Sequence, residues 1–142
     1  MTQVLQNLAE IAMNYDGIVL DQWGVLHNGT TPYPTAVTTL RRLNAQGVPL
    51  AVLSNSGKRA APNADRIAQM GFADVDFALT MTSGEALWQD IAAGRITQTK
   101  LFPITRDEGD AEAWADGLDI AISDNLAEAE ALLLMGLPDR AE

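Results

Sequence analysis

Short apolar segments alternate with helical patterns along this chain, and this alternation restricts its fold more than any other feature. Residues 17–20 and 48–53 are compact apolar runs that contain β-branched residues, as in strands buried on both faces of a parallel sheet. Weaker runs follow at residues 77–79, 101–104 and 120–122. Strands and helices that alternate at these lengths predict an α/β fold, with a parallel sheet flanked by helices.

Glycine and proline residues mark the limits of the predicted helices. Apolar residues at helical spacing predict helices over 1–14 and 110–114, whereas residues 127–135 fit either a helix or a strand. Three further helices are predicted to run from Pro34 to Gly47, from about Pro62 to Gly71 and from Thr82 to Gly94. Thr82 and Glu85 have the spacing of a capping box. The proline within 101–104 favours an edge strand or a bend.

Composition excludes several classes of function. The 142 residues carry a net charge of −10, which would repel a nucleic-acid backbone. The chain has no cysteine, so it has no disulfide and no thiolate metal site. No apolar run approaches the roughly 18 residues of a membrane span, and no basic segment followed by an apolar run opens the chain. We therefore expect a cytoplasmic protein with neither a nucleic-acid nor a membrane partner.

Reactive side chains follow the first two predicted strands. Asp21 ends the first strand, and Ser54 and Asn55 end the second. Ligands bind at the carboxyl ends of the strands in an open parallel sheet. A carboxylate there can act as a nucleophile, and a neighbouring hydroxyl and amide can hold the oxyanions of a transferred group. The alternative is that Asp21 caps a turn and that Ser54 and Asn55 open an ordinary loop.

Three segments resemble motifs of the haloacid dehalogenase (HAD) superfamily. Residues 21–29 (DQWGVLHNG), followed by Pro34 and a helix, resemble its first motif, and residues 53–56 (LSNS) resemble its second. Residues 82–85 (TSGE) resemble the segment that leads into a cap inserted between the second and third motifs. The subgroup with such a cap acts on sugar phosphates and nitrophenyl phosphate. The resemblance implies a HAD-like Rossmannoid parallel sheet, with the start of an inserted α/β cap domain.

The resemblance also implies roles for individual residues. Asp21 would be the nucleophile, would carry an aspartyl-phosphate, and would bind Mg²⁺ together with the backbone carbonyl of Trp23. Ser54 and Asn55 would bind the phosphoryl oxygens of a small phosphorylated substrate. Mg²⁺ prefers oxygen ligands, and its charge would offset the acidity of the protein where an anionic substrate binds.

Trp23 departs from the phosphatase motif. Phosphatases of the superfamily carry at this position a second Asp, which protonates the leaving group and later activates water. Indole can do neither, and loss of a general acid/base typically costs about 10²–10⁴ in rate. An aromatic residue here resembles the metal-independent dehalogenase branch. Three interpretations therefore stay open: a phosphatase, a metal-independent dehalogenase-like enzyme, and a non-catalytic binding or regulatory relative.

The later motifs of the superfamily have no clear counterpart. These motifs supply a lysine and an acidic pair, yet the only lysines are Lys58 and Lys100, and the nearest acids are Asp110 and Asp124. We therefore interpret the sequence as an N-terminal portion of a longer protein. Residues 1–80 would form the first part of the core and residues 81–142 the beginning of the cap. An incomplete core would favour association into homo-oligomers.

A few other side chains carry weaker predictions. His27, the only histidine, is expected to have a surface or turn role. Lys58 and Arg59 could attract an anionic substrate, but a solvated helix face is the more common role for such charges. Trp88 and Trp114 fall at apolar helix positions and are predicted to pack in the core or in the cap.

Overall fold

The computed structural model describes residue 4 and residues 7–137, which form two separate three-stranded sheets with short helices. In chain order the elements are α1 (Ala9–Ala12), β1 (Ile18–Leu20), α2 (Ala36–Ala45), β2 (Leu50–Ser54), α3 (Ala60–Ile67), β3 (Leu79–Thr82), α4 (Ser83–Ala92), β4 (Lys100–Ile104), α5 (Asp110–Ala115), β5 (Ala121–Ile122) and β6 (Ala131–Leu134). A π-helical turn (Ala68–Phe72) follows α3, and a 3-10 turn (Leu126–Glu128) precedes β6. The predicted α/β class is confirmed.

The chain divides into two compact units. The first consists of the described residues of Met1–Ser54 and Ala64–Met81, and the second of those of Asn55–Asn63 and Thr82–Glu142. Each unit has its own apolar cluster. The cluster of the first unit includes Leu26, Leu43, Val52 and Phe72, whereas that of the second is built around Leu101, Trp114 and Leu133. The assignment of residues 81–142 to an inserted cap stays a prediction.

The first sheet has the strand order β1-β2-β3, and β1 and β2 pair in parallel. Leu50 and Val52 turn inward to the cluster of the first unit, at 1% exposure each. The expectation that both faces of this sheet are buried was wrong. Val19 is 68% exposed, Leu53 55% and Leu79 51%, because in residues 7–137 only one face of the sheet is covered. Short apolar runs cannot distinguish these two situations.

The second sheet has the order β5-β4-β6, so the proline-containing strand β4 lies in its centre. Of the two predictions for Pro103, an edge strand or a bend, the edge strand was therefore wrong. The carbonyls of Thr99 and Leu101 accept the N–H groups of Ala121 and Ser123, on the β5 side of the strand. Backbone groups alternate along a strand, so the nitrogen of Pro103 faces the β5 side as well. Because β5 pairs only with Lys100 and Leu101, no strand there requires the N–H that proline lacks.

The helices begin and end close to the proline and glycine residues that predicted their limits. The glycines that end the predicted helices have positive φ, including Gly47 at 77°, Gly71 at 103° and Gly94 at 69°. The first helix is shorter than expected, since only Ala9–Ala12 is helical among its described residues and Val4 is 84% exposed. The ambiguous 127–135 segment forms mainly strand β6. The longest helices in residues 7–137 have ten residues, and none of them could span a membrane.

Candidate active site at the ends of the first two strands

Asp21 and Ser54 lie at the same edge of the first sheet. Leu20 pairs with Val52 in the parallel register, so Asp21 follows the last residue of β1, and Ser54 is the last residue of β2. The Asp21 side chain is exposed, whereas Ser54 is only 8% exposed. One Asp21 carboxylate oxygen, Oδ1, accepts the N–H of Gln22 at 2.7 Å. The other oxygen, Oδ2, accepts no hydrogen bond from the described residues.

The loop after Asp21 is held by one carbonyl group. The Gln22 carbonyl accepts the N–H groups of Val25, Leu26 and His27, at 3.3, 2.8 and 3.2 Å. Gly24 adopts a φ of 86°, a conformation that glycine tolerates without a Cβ clash, and its N–H donates to the His27 carbonyl at 2.9 Å. The Leu26 side chain is 2% exposed and anchors this turn in the apolar cluster of the first unit. The backbone next to Asp21 is therefore well ordered by local bonds.

His27 is a buried structural residue of this loop. It is 3% exposed, and its Nδ1 accepts the N–H of Gly29 at 3.0 Å. Burial lowers the pKa of His27, the nearby Arg66 charge lowers it further, and the Asp21 carboxylate opposes both. The turn role expected for His27 is confirmed and the surface role was wrong, because the loop folds back over this side chain.

Trp23 is held against the same loop but faces solvent. Its side chain is 66% exposed. A Cβ added to Gly29 would contact indole carbons at 3.5–3.7 Å, so the six-membered part of the indole lies against the Gly29 backbone. The Gly29 carbonyl in turn accepts Arg66 Nη2 at 2.7 Å. The indole therefore rests on a fixed backbone and presents its remaining surface outward.

The oxygen atoms beside Asp21 suit a hard cation such as Mg²⁺. The Asp21 carboxylate is exposed, and none of the N–H groups in the described residues donates to the Trp23 carbonyl. Mg²⁺ commonly takes one or two carboxylates and completes its shell with water and substrate phosphate. In residue 4 and residues 7–137 no three acidic or histidine side chains converge on a cation site. The Asp21 carboxylate and the Trp23 carbonyl could therefore hold Mg²⁺ only together with water and substrate phosphate.

Asn55 begins the second unit, in a loop that is fixed by the start of α4. The Ser56 carbonyl accepts the N–H of Gly84 at 3.0 Å, and the Lys58 carbonyl accepts the Thr82 hydroxyl at 2.6 Å. Asn55 itself is exposed and lines a pocket of about 300 Å³ together with residues of α4, α5 and β6. The loop after the second strand is therefore tied to the start of α4 by one backbone bond and by one bond from the Thr82 side chain.

Glu85 is the centre of a charged cluster in the second unit. Arg59 Nε donates to Glu85 Oε2 at 2.7 Å, the Ala60 N–H donates to the same oxygen at 3.0 Å, and the Arg59 guanidinium stacks 3.8 Å from the Trp88 ring centroid. Thr82 Oγ1 accepts the Glu85 N–H at 2.9 Å and so forms half of the predicted capping box. The other half is missing because Glu85 turns to Arg59 instead. Arg59 is thus bound within the protein and does not lie on a solvated face.

The Arg59 hydrogen bond lowers the pKa of Glu85 to about 2, with burial opposing and the Ala60 N–H assisting. The Glu85 carboxylate therefore stabilises the folded protein above its unfolded pKa of 4.5, and this contribution disappears as the pH falls toward 2. We expect Glu85→Gln to lower the free energy of unfolding at pH 7 by about 2 kcal/mol. Urea unfolding at pH 7 and pH 3 measures the difference, which should shrink at the lower pH.

Glu128→Gln is the matched control for Glu85→Gln. Glu128 also pairs with a cation, Lys100, but its side chain is 58% exposed, so solvent screens the pair. This control should unfold at nearly the same urea concentration as the parent protein at both pH values. An equal effect of the two substitutions, or a Glu85→Gln effect that does not change with pH, would contradict the role given to the Arg59–Glu85 pair.

Lys58, Asp110 and Asp124 do not belong to a cluster of acidic side chains that could bind a cation in the part of the chain that the structure describes. Lys58 Nζ contacts Asp110 Oδ1 at 3.3 Å, and the lysine side chain is 55% exposed. Asp124 is exposed beside the 3-10 turn. Neither Asp110 nor Asp124 belongs to a group of three potential metal ligands in the described residues.

Two arrangements, one in each unit, were not foreseen from the sequence. The contact between Trp23 and Gly29 joins residues six positions apart through a loop with no regular period, so no pattern announces it. The spacing of Thr82 and Glu85 did predict a cap, but not the Arg59 partner. Trp114 packs in the core as predicted, at 2% exposure, and its Nε1 donates to the Gly84 carbonyl at 2.8 Å.

Parallel strands whose carboxyl ends carry a carboxylate and a hydroxyl define an α/β protein with reactive side chains at one edge of its first sheet. A model of the haloacid dehalogenase-like hydrolases matches residues 18–119, so the chain belongs to that family. Chronophin from Bos taurus is 30% identical over 119 residues, which cover 80% of this chain and 40% of chronophin. These findings confirm the superfamily that the motifs indicated.

Two solved structures are also similar. A haloacid dehalogenase-like family hydrolase from Brucella suis 1330 is 29% identical, with a TM-score of 0.83, over 96% of this chain and 48% of its own. A hypothetical protein from Pyrococcus horikoshii OT3 is 27% identical, with a TM-score of 0.53, over 71% of this chain and 39% of its own. The chain therefore spans less than half the length of these relatives.

Proposed function

We propose that this protein is a hydrolase of small phosphorylated metabolites that uses Asp21 as a covalent nucleophile. The observation that carries the proposal is the exposed Asp21 carboxylate at the end of β1, at the same sheet edge as Ser54. Gln22 N–H holds Oδ1 at 2.7 Å, which leaves Oδ2 to attack phosphorus and form an aspartyl-phosphate. Membership of the haloacid dehalogenase-like hydrolases supports this chemistry.

Ser54 and Asn55 are proposed to bind the phosphoryl oxygens. Ser54 ends the strand next to that of Asp21, and an alcohol or amide donor there can stabilise the charge that develops on these oxygens. The tie between the Ser56 carbonyl and the Gly84 N–H limits the motion of the loop that carries Asn55. A small anionic substrate is thus expected as the partner.

Mg²⁺ is the proposed cofactor, with the Asp21 carboxylate and the Trp23 carbonyl as its protein ligands. When bound, Mg²⁺ offsets the negative charge of the phosphate and of the carboxylate that attacks it. Such an offset matters in a chain with a net charge of −10. The Trp23 carbonyl suits this role because no described N–H group competes for it.

The direct test is release of inorganic phosphate from p-nitrophenyl phosphate by the full-length protein, with and without Mg²⁺. We expect turnover with Mg²⁺ and its loss when the metal is chelated. An Asn55→Ala variant should raise KM, since it removes a phosphate donor but not the nucleophile. No phosphate release under any metal condition would refute the proposal.

A metal-independent dehalogenase-like reaction is the second candidate, and the aromatic residue at position 23 favours it. A halide leaves without protonation, so Trp23 would be no handicap there. The same full-length protein should then release chloride from a 2-chloro acid without added metal. Activity in neither assay would instead support a non-catalytic binding or regulatory role.

A further inference from the structure

The backbone of Gly29 joins three side chains of the first unit. Its carbonyl accepts Arg66 Nη2 at 2.7 Å, and its N–H donates to His27 Nδ1 at 3.0 Å. A Cβ added to Gly29 would contact the Trp23 indole at 3.5–3.7 Å. The φ of 108° at Gly29 is one that glycine adopts readily. Gly29 is therefore the point at which helix α3, through Arg66, is connected to the loop that follows Asp21.

A series of hydrogen bonds continues from Gly29 to the Trp23 carbonyl. The His27 carbonyl accepts the N–H of Gly24 at 2.9 Å. The Gly24 N–H and the Trp23 carbonyl belong to one planar trans peptide, so they point in opposite directions, and fixing one fixes the other. The His27 ring is 3% exposed and is bonded to the Gly29 N–H. The direction of the Trp23 carbonyl therefore depends on His27 and, through Gly29, on Arg66.

Arg66 is the member of this series that comes from outside the loop. It lies in the last turn of α3, and 37 positions separate it from Gly29. The other bonds in the series join residues 24–29 to one another, so they order the loop internally without attaching it to a helix. A guanidinium donor makes a stronger bond than a neutral one. The bond from Arg66 thus fixes the position of the loop relative to α3.

We infer that Arg66 is a positioning residue for the Mg²⁺ site, which it serves by holding the Gly29 carbonyl and so the orientation of the Trp23 carbonyl. The inference rests on the proposed function. Loss of a group that orients a metal ligand typically weakens metal binding by about 10–100-fold. The positive charge of Arg66 has the opposite effect, because by itself it repels a cation. Positioning and charge therefore predict changes of opposite sign when Arg66 is replaced.

The test measures the dissociation constant of Mg²⁺ by titration calorimetry of the full-length protein without substrate. Arg66→Met removes the bond and the charge, and we expect the dissociation constant to rise by about tenfold, with kcat at saturating Mg²⁺ within about twofold of the parent. Arg66→Lys keeps a charged donor for the single bond and should stay within about threefold of the parent. Arg42→Met is the matched control for charge, since Arg42 is also exposed in the last turn of a helix of the first unit, and it should change the constant by less than about twofold.

A second measurement reports on the loop without metal or activity. The metal-free protein would be labelled with 5-fluorotryptophan, and the ¹⁹F signal of Trp23 assigned by its loss in Trp23→Phe. Arg66→Met should move this signal toward its position in the unfolded protein, because the indole loses the fixed Gly29 backbone against which it rests. Trp88 and Trp114 belong to the second unit and are internal references that should not shift.

Two results would overturn the inference. One is a dissociation constant for Mg²⁺ that is unchanged or lower in folded Arg66→Met, and the other is an unchanged Trp23 signal in that variant. Should Arg66→Met not fold, Arg66→Gln, which is uncharged and has a shorter side chain, gives the same comparison. Absence of Mg²⁺ binding in the parent would mean that the proposed metal site has failed and the inference with it, whereas equal binding by parent and variant refutes the inference alone.

Discussion

Asp21→Asn should lower kcat for p-nitrophenyl phosphate by at least about 10³-fold, because the amide cannot act as the attacking nucleophile. The substitution is nearly isosteric, and the Asn oxygen can still accept the Gln22 N–H that Asp21 Oδ1 accepts at 2.7 Å. The Asp21 side chain is exposed, so its replacement should not disturb the apolar cluster of the first unit. Steady-state assays with saturating Mg²⁺ measure the loss.

Asp16→Asn is the matched control for Asp21→Asn. Asp16 is also an exposed acid of the first unit, but it precedes β1 and lies away from the carboxyl end of the strands. Its replacement changes the net charge by the same amount and should leave kcat within about twofold, as for most surface substitutions. Equal activity of Asp21→Asn and the parent protein would exclude Asp21 as the nucleophile.

Gly84→Ala should lower the free energy of unfolding by about 3 kcal/mol, a large effect for one methyl group. A Cβ at this position would lie 2.0 Å from the Gly57 carbonyl oxygen and 2.7 Å from that of Lys58. Both are backbone atoms, so no side chain can rotate away. Moving the backbone would stretch the 3.0 Å bond from the Gly84 N–H to the Ser56 carbonyl. Urea denaturation followed by circular dichroism measures the change.

Gly136→Ala tests whether this effect arises from the close approach. A Cβ at Gly136 would meet nothing within 4 Å, so the same chemical change should alter the free energy of unfolding by no more than about 0.5 kcal/mol. Similar unfolding midpoints for the two variants would contradict the tight packing of the 55–58 loop against α4.

The fold class was predictable because local signals agree with one another. The compact runs at 17–20 and 48–53 became the paired strands β1 and β2, and Gly47 and Gly94 follow the ends of α2 and α4 with positive φ. The predictions that were wrong concern features that depend on residues distant in sequence. The exposure of Val19 reflects which face of the sheet is covered, and the central place of Pro103 reflects the two-residue length of β5.

That Asp21 and Ser54 share one edge of the sheet was predictable, whereas their surroundings were less so. The two apolar runs predicted neighbouring parallel strands, and the observed register brings Asp21 and Ser54 to one edge. The burial of His27 could not be foreseen because it depends on how the 21–33 loop closes on itself. The engagement of Glu85 by Arg59 joins residues 26 positions apart, and a capping pattern alone does not reveal it.

The most direct test of the proposed chemistry is detection of a phosphoryl group on Asp21. The full-length protein would be mixed with p-nitrophenyl phosphate and Mg²⁺, quenched in acid, digested and analysed by mass spectrometry. We expect one added phosphoryl group on the peptide that contains Asp21, and none in Asp21→Asn. Steady turnover with no phosphorylated peptide at any quench time, or phosphorylation at another residue, would contradict a covalent role for Asp21.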